Sequence, residues 1–230
     1  MKNVNDAPEG CRVIVVACHV MEPEIEMIRK DHNGVEIRYL DQGLHRTPKN
    51  MARLVQEQID QASEYAERIV LGYGLCSNGI VGVTPRHQGL IVPRCHDCIA
   101  FSIGSPEAYE KIFEERPGTY YITPGWVAEK KDPLSIVEYE YEPRYGRDTA
   151  IWVMEEELKN YTHIVLIDNH LTDIGPLRER AIENASFFKK QYEEIKGSVE
   201  FFKKILRGPY NDGDFLILKS GQAVTQEMFL

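Results

Sequence analysis

The sequence predicts an α/β protein, a doubly wound and mostly parallel sheet with helices on both faces, and three observations lead there. Short unbroken apolar runs, Val13 to Cys18, Ile69 to Leu71, Leu90 to Val92 and His163 to Asp168, are of the kind that form strands buried on both faces. Between them lie segments of helical period, such as Met51, Leu54, Val55, Ile59, Ala62 and Ala66. Most of the runs stop at loops rich in glycine, cysteine or histidine, and parallel sheets collect ligands just outside the carboxyl ends of their strands. Strands alternating with helices, about seven of each, give right-handed crossovers. The expected organisation is one domain over residues 1–230, with an alternative division into halves 11–126 and 147–230.

Taken in order, residues 1–10 form a polar tail and the first strand ends in Cys18-His19. Met21-Glu22-Pro23-Glu24-Ile25-Glu26 opens a helix, with proline near its first position and acids in its first turn. Cys18 is thereby expected close to that helix N-terminus. A second strand, Val35 to Leu40, follows the Asn33-Gly34 turn; a loop holding His45 leads to a helix starting near Pro48. After the third and fourth strands, Ser105-Pro106-Glu107 caps a helix that stops before Pro117-Gly118. The strand Thr119 to Thr123 runs into Pro124-Gly125-Trp126, a turn expected to put the Trp126 indole over the same cleft as the cysteines. Residues 129–146 read as an irregular or helical excursion, and Ile151, Trp152, Met154 and Leu158 mark another helix. From Gly175 to Leu206 the pattern is helical, with Leu177, Ala181, Ala185, Phe188, Tyr192 and Ile195 in phase and Gly197-Ser198 as the one break. So long a helix suggests a docking face, for a homo-oligomer or a protein partner. Asp214 to Leu218 closes the fold as a strand.

With 43% apolar and 27% charged residues, the 230-residue chain can bury a full core. A net charge of −9 without a lysine or arginine run excludes nucleic acid and anionic membranes as favoured partners and leaves small molecules or proteins. No apolar stretch approaches the roughly 20 residues of a membrane helix, and MKNVNDAPEG lacks an export core, so a cytoplasmic protein is expected. Five cysteines in such a chain point to metal ligation or thiol chemistry ahead of a disulfide framework.

Four soft or borderline donors follow strand ends: Cys18, Cys76, His96 and Cys98. Two or three thiolates with one imidazole is a common zinc arrangement, and three ligands would leave a fourth position for chemistry. Cys11 and Cys18 also suit plain packing beside a core strand, whereas Cys76 and Cys98 sit in polar, turn-rich loops where packing does not call for cysteine. Cys95-His96-Asp97-Cys98 is a C-x-x-C, but it follows a strand too closely for the usual redox helix cap. An iron–sulfur cluster on Cys18, Cys76 and Cys98 is the alternative cofactor to zinc. Gly72, Gly74, Ser77 and Asn78 suggest an anion-binding loop, with no P-loop lysine beside it. Arg94 would orient a substrate carboxylate; Asp97 would orient His96 or act as a base. His32, His45, His87 and His163 read as ordinary loop or core histidines, and His170 as a loop residue past a strand end.

His96-x-Cys98 with a distant Cys76 is similar to the zinc site of thiol-activating methyltransferases that serve corrinoid proteins, a likeness confined to those three residues. More broadly, ACHV (17–20), LGYGLCSNGIVGV (71–83), IVPRCHDCIAFSIGS (91–105) and GTYYITPGW (118–126) resemble an uncharacterised prokaryotic family, the domain of unknown function number 1638. The resemblance implies an anaerobic setting, often beside genes for corrinoid-dependent methyltransferases. Its motif regions map onto Cys18, Cys76, Arg94, His96, Asp97, Cys98 and Trp126. Cys95 stands where the family more often has a small or aliphatic residue. The expectation that follows is a metal-dependent, zinc-type enzyme of one-carbon metabolism acting on a small anionic substrate by methyl transfer. The alternatives are a metal- or cofactor-handling partner of a corrinoid or methyltransferase protein, and an iron–sulfur redox protein.

Overall fold

The apolar runs do become strands. In the computed structural model, residues 12–30, 32, 34–171, 173–211 and 213–229 are described. The first elements are β1 (Val13–Cys18), α1 (Glu22–Arg29), β2 (Val35–Leu40), α2 (Pro48–Ala62), β3 (Arg68–Gly72) and β4 (Leu90–Pro93). Next come α3 (Ile99–Ile103), α4 (Pro106–Glu115), β5 (Thr119–Ile122), α5 (Pro124–Ala128), α6 (Pro133–Ile136), α7 (Glu142–Tyr145) and α8 (Arg147–Glu157). The chain continues through β6 (His163–Asp168), α9 (Gly175–Phe187), β7 (Gln191–Lys196), α10 (Glu200–Arg207) and β8 (Phe215–Leu218).

These elements form two compact units, one from the residues up to Ala108 together with those from Val199 onward, the other from Tyr109–Ser198. The expected junction near residues 127–147 therefore falls inside the second unit. The first unit holds a sheet of order β2-β1-β3-β4-β8, parallel except for β8, which runs antiparallel to β4. The chain goes from β1 to β2 on one side and then returns to place β3 on the other. That reversal is the kind of switch point at which open α/β sheets leave a crevice at their carboxyl edge. Every residue of β1 is fully buried, as an apolar run at the centre of such a sheet requires. Helix α2 packs on β1 and β2, while α10 packs on β1, β3, α1 and α3. Phe201, Phe202, Ile205 and Leu206 supply the buried side of α10, with Phe201 stacked on Phe101 at 5.0 Å.

The second unit is a parallel sheet of order β5-β6-β7. Ile122, Ile164, Leu166, Ala181 and Ala185 form one core cluster under α9. Residues 129–146 are the helical excursion of the two alternatives: Leu134, Val137 and Tyr141 from it bury against Ala150, Met154 and Leu158 of the next helix. The fully buried Asp132 ties this layer to α9, accepting hydrogen bonds from Arg180 Nε at 2.9 Å and Asn184 Nδ2 at 2.8 Å. Trp152, one of the residues that mark α8 in the sequence, is 60% exposed.

One expectation fails outright. Residues 175–206 are not a long helix: α9 closes at Phe188, Lys189 takes a left-handed φ of 55°, and Gln191–Lys196 becomes the edge strand β7. Ala185, Phe188, Tyr192 and Ile195 are spaced as a helix face would be, but the last two lie on a strand. Glu193 and Glu194 pair instead with Arg116 and Arg178, charges of the sort that protect an edge strand. The long docking helix is therefore absent.

Glu24, one of the acids in the first turn of α1, is only 1% exposed, and among the described residues neither carboxylate oxygen has a side-chain or backbone partner beyond its own residue. Burial pushes its pKa from 4.5 up to about 7. The folded state then holds a proton that the unfolded chain releases, so stability is full below about 4.5, falls through that window and levels off above 7. Glu24→Gln should remove this slope and leave the variant more stable than the parent at pH 8 by roughly 3 kcal/mol. Denaturant titrations at pH 5 and pH 8 measure it; parallel curves for the two proteins would refute the assignment.

Candidate metal centre

Four strand exits meet at the carboxyl edge of the first sheet. β1 contributes its last residue, Cys18, which is paired in register with Leu40 of β2. After β2, Asp41 accepts a hydrogen bond from the Gly43 N–H at 2.6 Å and starts a tight 3-10 turn, Gln42–Arg46, that carries His45. His45 Nδ1 lies 2.8 Å from the Gln42 carbonyl oxygen. A carbonyl only accepts, so Nδ1 carries the proton in this bond. When the ring is neutral, Nε2 keeps its lone pair, the tautomer fixing seen behind metal-ligating histidines.

The exits of β3 and β4 stay paired beyond the sheet: the Leu75 N–H donates to the Cys95 carbonyl at 2.9 Å and the Cys76 N–H to the His96 carbonyl at 2.8 Å. This pairing needs Gly74, since a Cβ there would lie 2.8 Å from the Cys95 oxygen and 2.9 Å from the Asp97 backbone. Cys76, Ser77 and Asn78 then adopt φ of 48°, 56° and 65° in succession. Three consecutive non-glycine residues in the left-handed region are costly and recur where a site dictates backbone geometry. On the other side, Cys98 caps α3 with a helical φ of −73°.

The outcome is a compact donor group. Cys76 Sγ lies 3.5 Å from Cys98 Sγ, and one ligand atom each from His45, Cys76 and Cys98 falls within 4.8 Å of the others. Cys18 lies outside that group but close enough to Cys98 for the two thiols to influence each other's ionisation. Hydrogen bonds from Cys18 and Cys76, helped by His45, hold the Cys98 thiol well below its usual pKa even though burial opposes this. Cys18 and Cys76 are raised by the same bonds to Cys98 and by burial. Burial lowers the His45 pKa, but the bond to Cys98 and its charge outweigh that and raise it. Tyr73, whose ring centroid is 6.3 Å from that of His45, is fully buried and raised first by burial and then by the charges of Cys18, Cys98 and Cys76. Two thiols and one imidazole could hold a metal ion here: metal–sulfur bonds of about 2.3 Å would put two ligand sulfurs about 3.8 Å apart, near the 3.5 Å between Cys76 and Cys98.

Of the residues expected to build the site, Cys76 and Cys98 come together with Cys18 beside them, and His96 does not join. Its side chain is exposed and only its carbonyl takes part, so the imidazole is that of His45. Cys95 is buried but stays outside the group, which splits the C-x-x-C. Asp97 Oδ1 accepts the Ile99 N–H at 2.9 Å and so caps α3 instead of orienting His96. Arg94 turns to the chain's C-terminal stretch, with its N–H 2.8 Å from the Asp214 carbonyl and Nη1 3.4 Å from that of Met228. Gly72 and Gly74 serve close packing, Gly72 against Ala17 and Gly74 against the Cys95 carbonyl, while Ser77 and Asn78 are exposed. The N–H groups of Leu75, Cys76 and Gly79 are already bonded, which removes much of an anion cradle. Trp126 belongs to the second unit, in α5, which follows β5 of the other sheet. His170 is also in the second unit, with Nδ1 2.9 Å from Asp168 Oδ2. Cys11 lies outside the described residues.

A family model matches residues 39–206, more than half of the chain. The chain belongs to the family described as a protein of unknown function, DUF1638. His45, Cys76 and Cys98 fall within the matched stretch, and Cys18 precedes it. No curated protein and no solved structure matches the chain. Among the described residues of this DUF1638 member, no helix is long and apolar enough to cross a membrane.

The close approach at Gly74 makes a direct test. Gly74→Ala should cost about 2 kcal/mol by forcing the two exit loops apart, seen as a fall of several degrees in Tm. An unchanged melting curve would show that the loops separate without cost.

Proposed function

We propose that this chain is a mononuclear metal enzyme in which His45 Nε2, Cys76 Sγ and Cys98 Sγ hold a zinc-type ion. The single observation that carries the reading is the convergence of one imidazole and two thiols, from three different strand exits, to within 4.8 Å. Two thiolates and one nitrogen suit zinc, and three protein ligands leave the fourth tetrahedral position to a substrate. Bound there, the ion supplies Lewis acidity, lowering the pKa of a thiol or water it holds. The 3.5 Å sulfur separation supports one ion shared by two ligands over a cubane cluster, which spreads its cysteines over separate irons. The substrate class we infer is a small anionic molecule or thiol, and the reaction group transfer to it. Methyl transfer in one-carbon metabolism, with a corrinoid or methyltransferase protein as partner, is the specific case that the family resemblance supports. A net charge of −9 and four buried free cysteines support a small-molecule substrate and a reducing, cytoplasmic setting.

The lowered Cys98 beside a raised His45 favours a second reading, a metal-free thiolate–imidazolium nucleophile. Elemental analysis of anaerobically purified protein separates the two. One zinc per chain should be found in the wild type and in His96→Ala, and lost in His45→Ala, Cys76→Ser and Cys98→Ser. A wild type without metal after reconstitution would leave the nucleophile reading; loss in His96→Ala with retention in His45→Ala would refute the donor set.

A further inference from the structure

We propose that the Tyr73 hydroxyl is the hydrogen-bond donor to a small thiolate bound at the fourth position of the ion. The proposal rests on the metal-centre reading and extends it to the ligand. Tyr73 sits three residues before Cys76 on the same exit loop, its ring packed near that of His45. The hydroxyl is completely buried and has no hydrogen-bond partner among the described residues. A buried O–H left without an acceptor is expensive, and native structures keep such groups where something else completes them. The phenol is close enough to Cys18, Cys98 and Cys76 to feel their charge, yet no sulfur is in hydrogen-bonding geometry with it. The orphan hydroxyl therefore lies in the charge field of the three sulfurs without bonding to any of them. A thiolate held by the ion beside those sulfurs would supply the acceptor that the hydroxyl lacks.

That atom must accept a hydrogen bond and suit a soft metal site. An ion already bound by two thiolates and an imidazole favours a further soft anionic donor, which points to a thiolate ahead of a carboxylate or phosphate oxygen. The approach is past His45, whose turn from Gln42 to His45 is partly exposed while Tyr73, Cys18, Cys76 and Cys98 are buried. Cys18, fully buried, is a neighbour of Cys98 and not the fourth ligand.

Cobalt(II)-loaded protein titrated with 2-mercaptoethanol reads this out through the sulfur-to-cobalt charge-transfer absorption. The wild type should gain intensity and saturate. Tyr73→Phe should bind the same amount of cobalt but hold the thiol about tenfold to a hundredfold more weakly, the loss of one hydrogen bond to a charged acceptor. Cys18→Ala should retain both cobalt and thiol. Equal thiol affinity in wild type and Tyr73→Phe would overturn the role of the hydroxyl, as would failure of Tyr73→Phe to take up cobalt, which would put the phenol in the metal cradle itself. Loss of cobalt in Cys18→Ala would overturn the open fourth position. A response to acetate but not to the thiol would overturn the ligand class. Wild type that takes up no cobalt refutes the metal centre, a result distinct from all of these.

Discussion

The site depends on two backbone hydrogen bonds, from Leu75 to Cys95 and from Cys76 to His96. Within the sheet, β3 and β4 are registered through Val70 and Ile91, and without further pairing their exit loops would be free to diverge. The two bonds carry the ladder past the end of the sheet and set Cys76 opposite the segment that leads to Cys98. They tolerate no side chain at position 74, and the left-handed run from Cys76 to Asn78 then turns the chain away within three residues. Gly74 is thus explained by the approach of two backbones, and Cys76 and Cys98 by what that approach brings together.

Strand order accounts for the other two donors. Because β2 and β3 lie on opposite sides of β1, the carboxyl edge of β1 opens on a crevice, and Cys18 is its last strand residue. His45 comes from the neighbouring exit, which the Asp41 cap folds into a short turn. His45, Cys76 and Cys98 meet, with Cys18 beside them, because all four lie at or just past the same end of adjacent parallel strands. That much was legible in the sequence: the apolar runs mark where strands end, and Cys76 and Cys98, singled out just beyond those ends, come to within 3.5 Å of each other.

The choice of imidazole was not legible, for a physical reason. In an extended chain His96 and Cys98 would face the same side, which makes His-x-Cys look like a ligand pair. The backbone turns helical at Cys98, the alternation ends, and His96 is left with its carbonyl inward and its ring outward. His45 carried a weaker signal, a position after a strand end beside Asp41-x-Gly43, which sequence pattern alone does not separate from an ordinary loop. The second unit was misread where local spacing imitated a helix. Tyr192 and Ile195 continue the phase of Ala185 and Phe188, and only the ladder with β6 makes Gln191–Lys196 a strand. Nor does composition reveal that the residues from Val199 onward return to the first unit, where α10 covers β1 and β3.

Three buried thiols are inexpensive while protonated, since cysteine packs as a small apolar residue. A buried thiolate is not, because desolvation penalises the charge. Yet Cys98 is the member whose ionisation is favoured, through hydrogen bonds from Cys18 and Cys76 and through His45. The fold therefore prepares negative charge at a dry point and sets beside it one group able to balance that charge. Fixing the His45 Nδ1 proton on the Gln42 carbonyl leaves Nε2 to face the sulfurs in either of two forms. Protonated, it pairs with the Cys98 thiolate; neutral, it offers a lone pair and leaves the balancing to a cation. Entry of a cation would replace the shared protons of Cys76, Cys98 and His45 by one ion at their centre, so that metal affinity and the proton count of the site are linked. The same hydrogen bonds that depress Cys98 would thus serve as the scaffold in which a metal could take the place of protons.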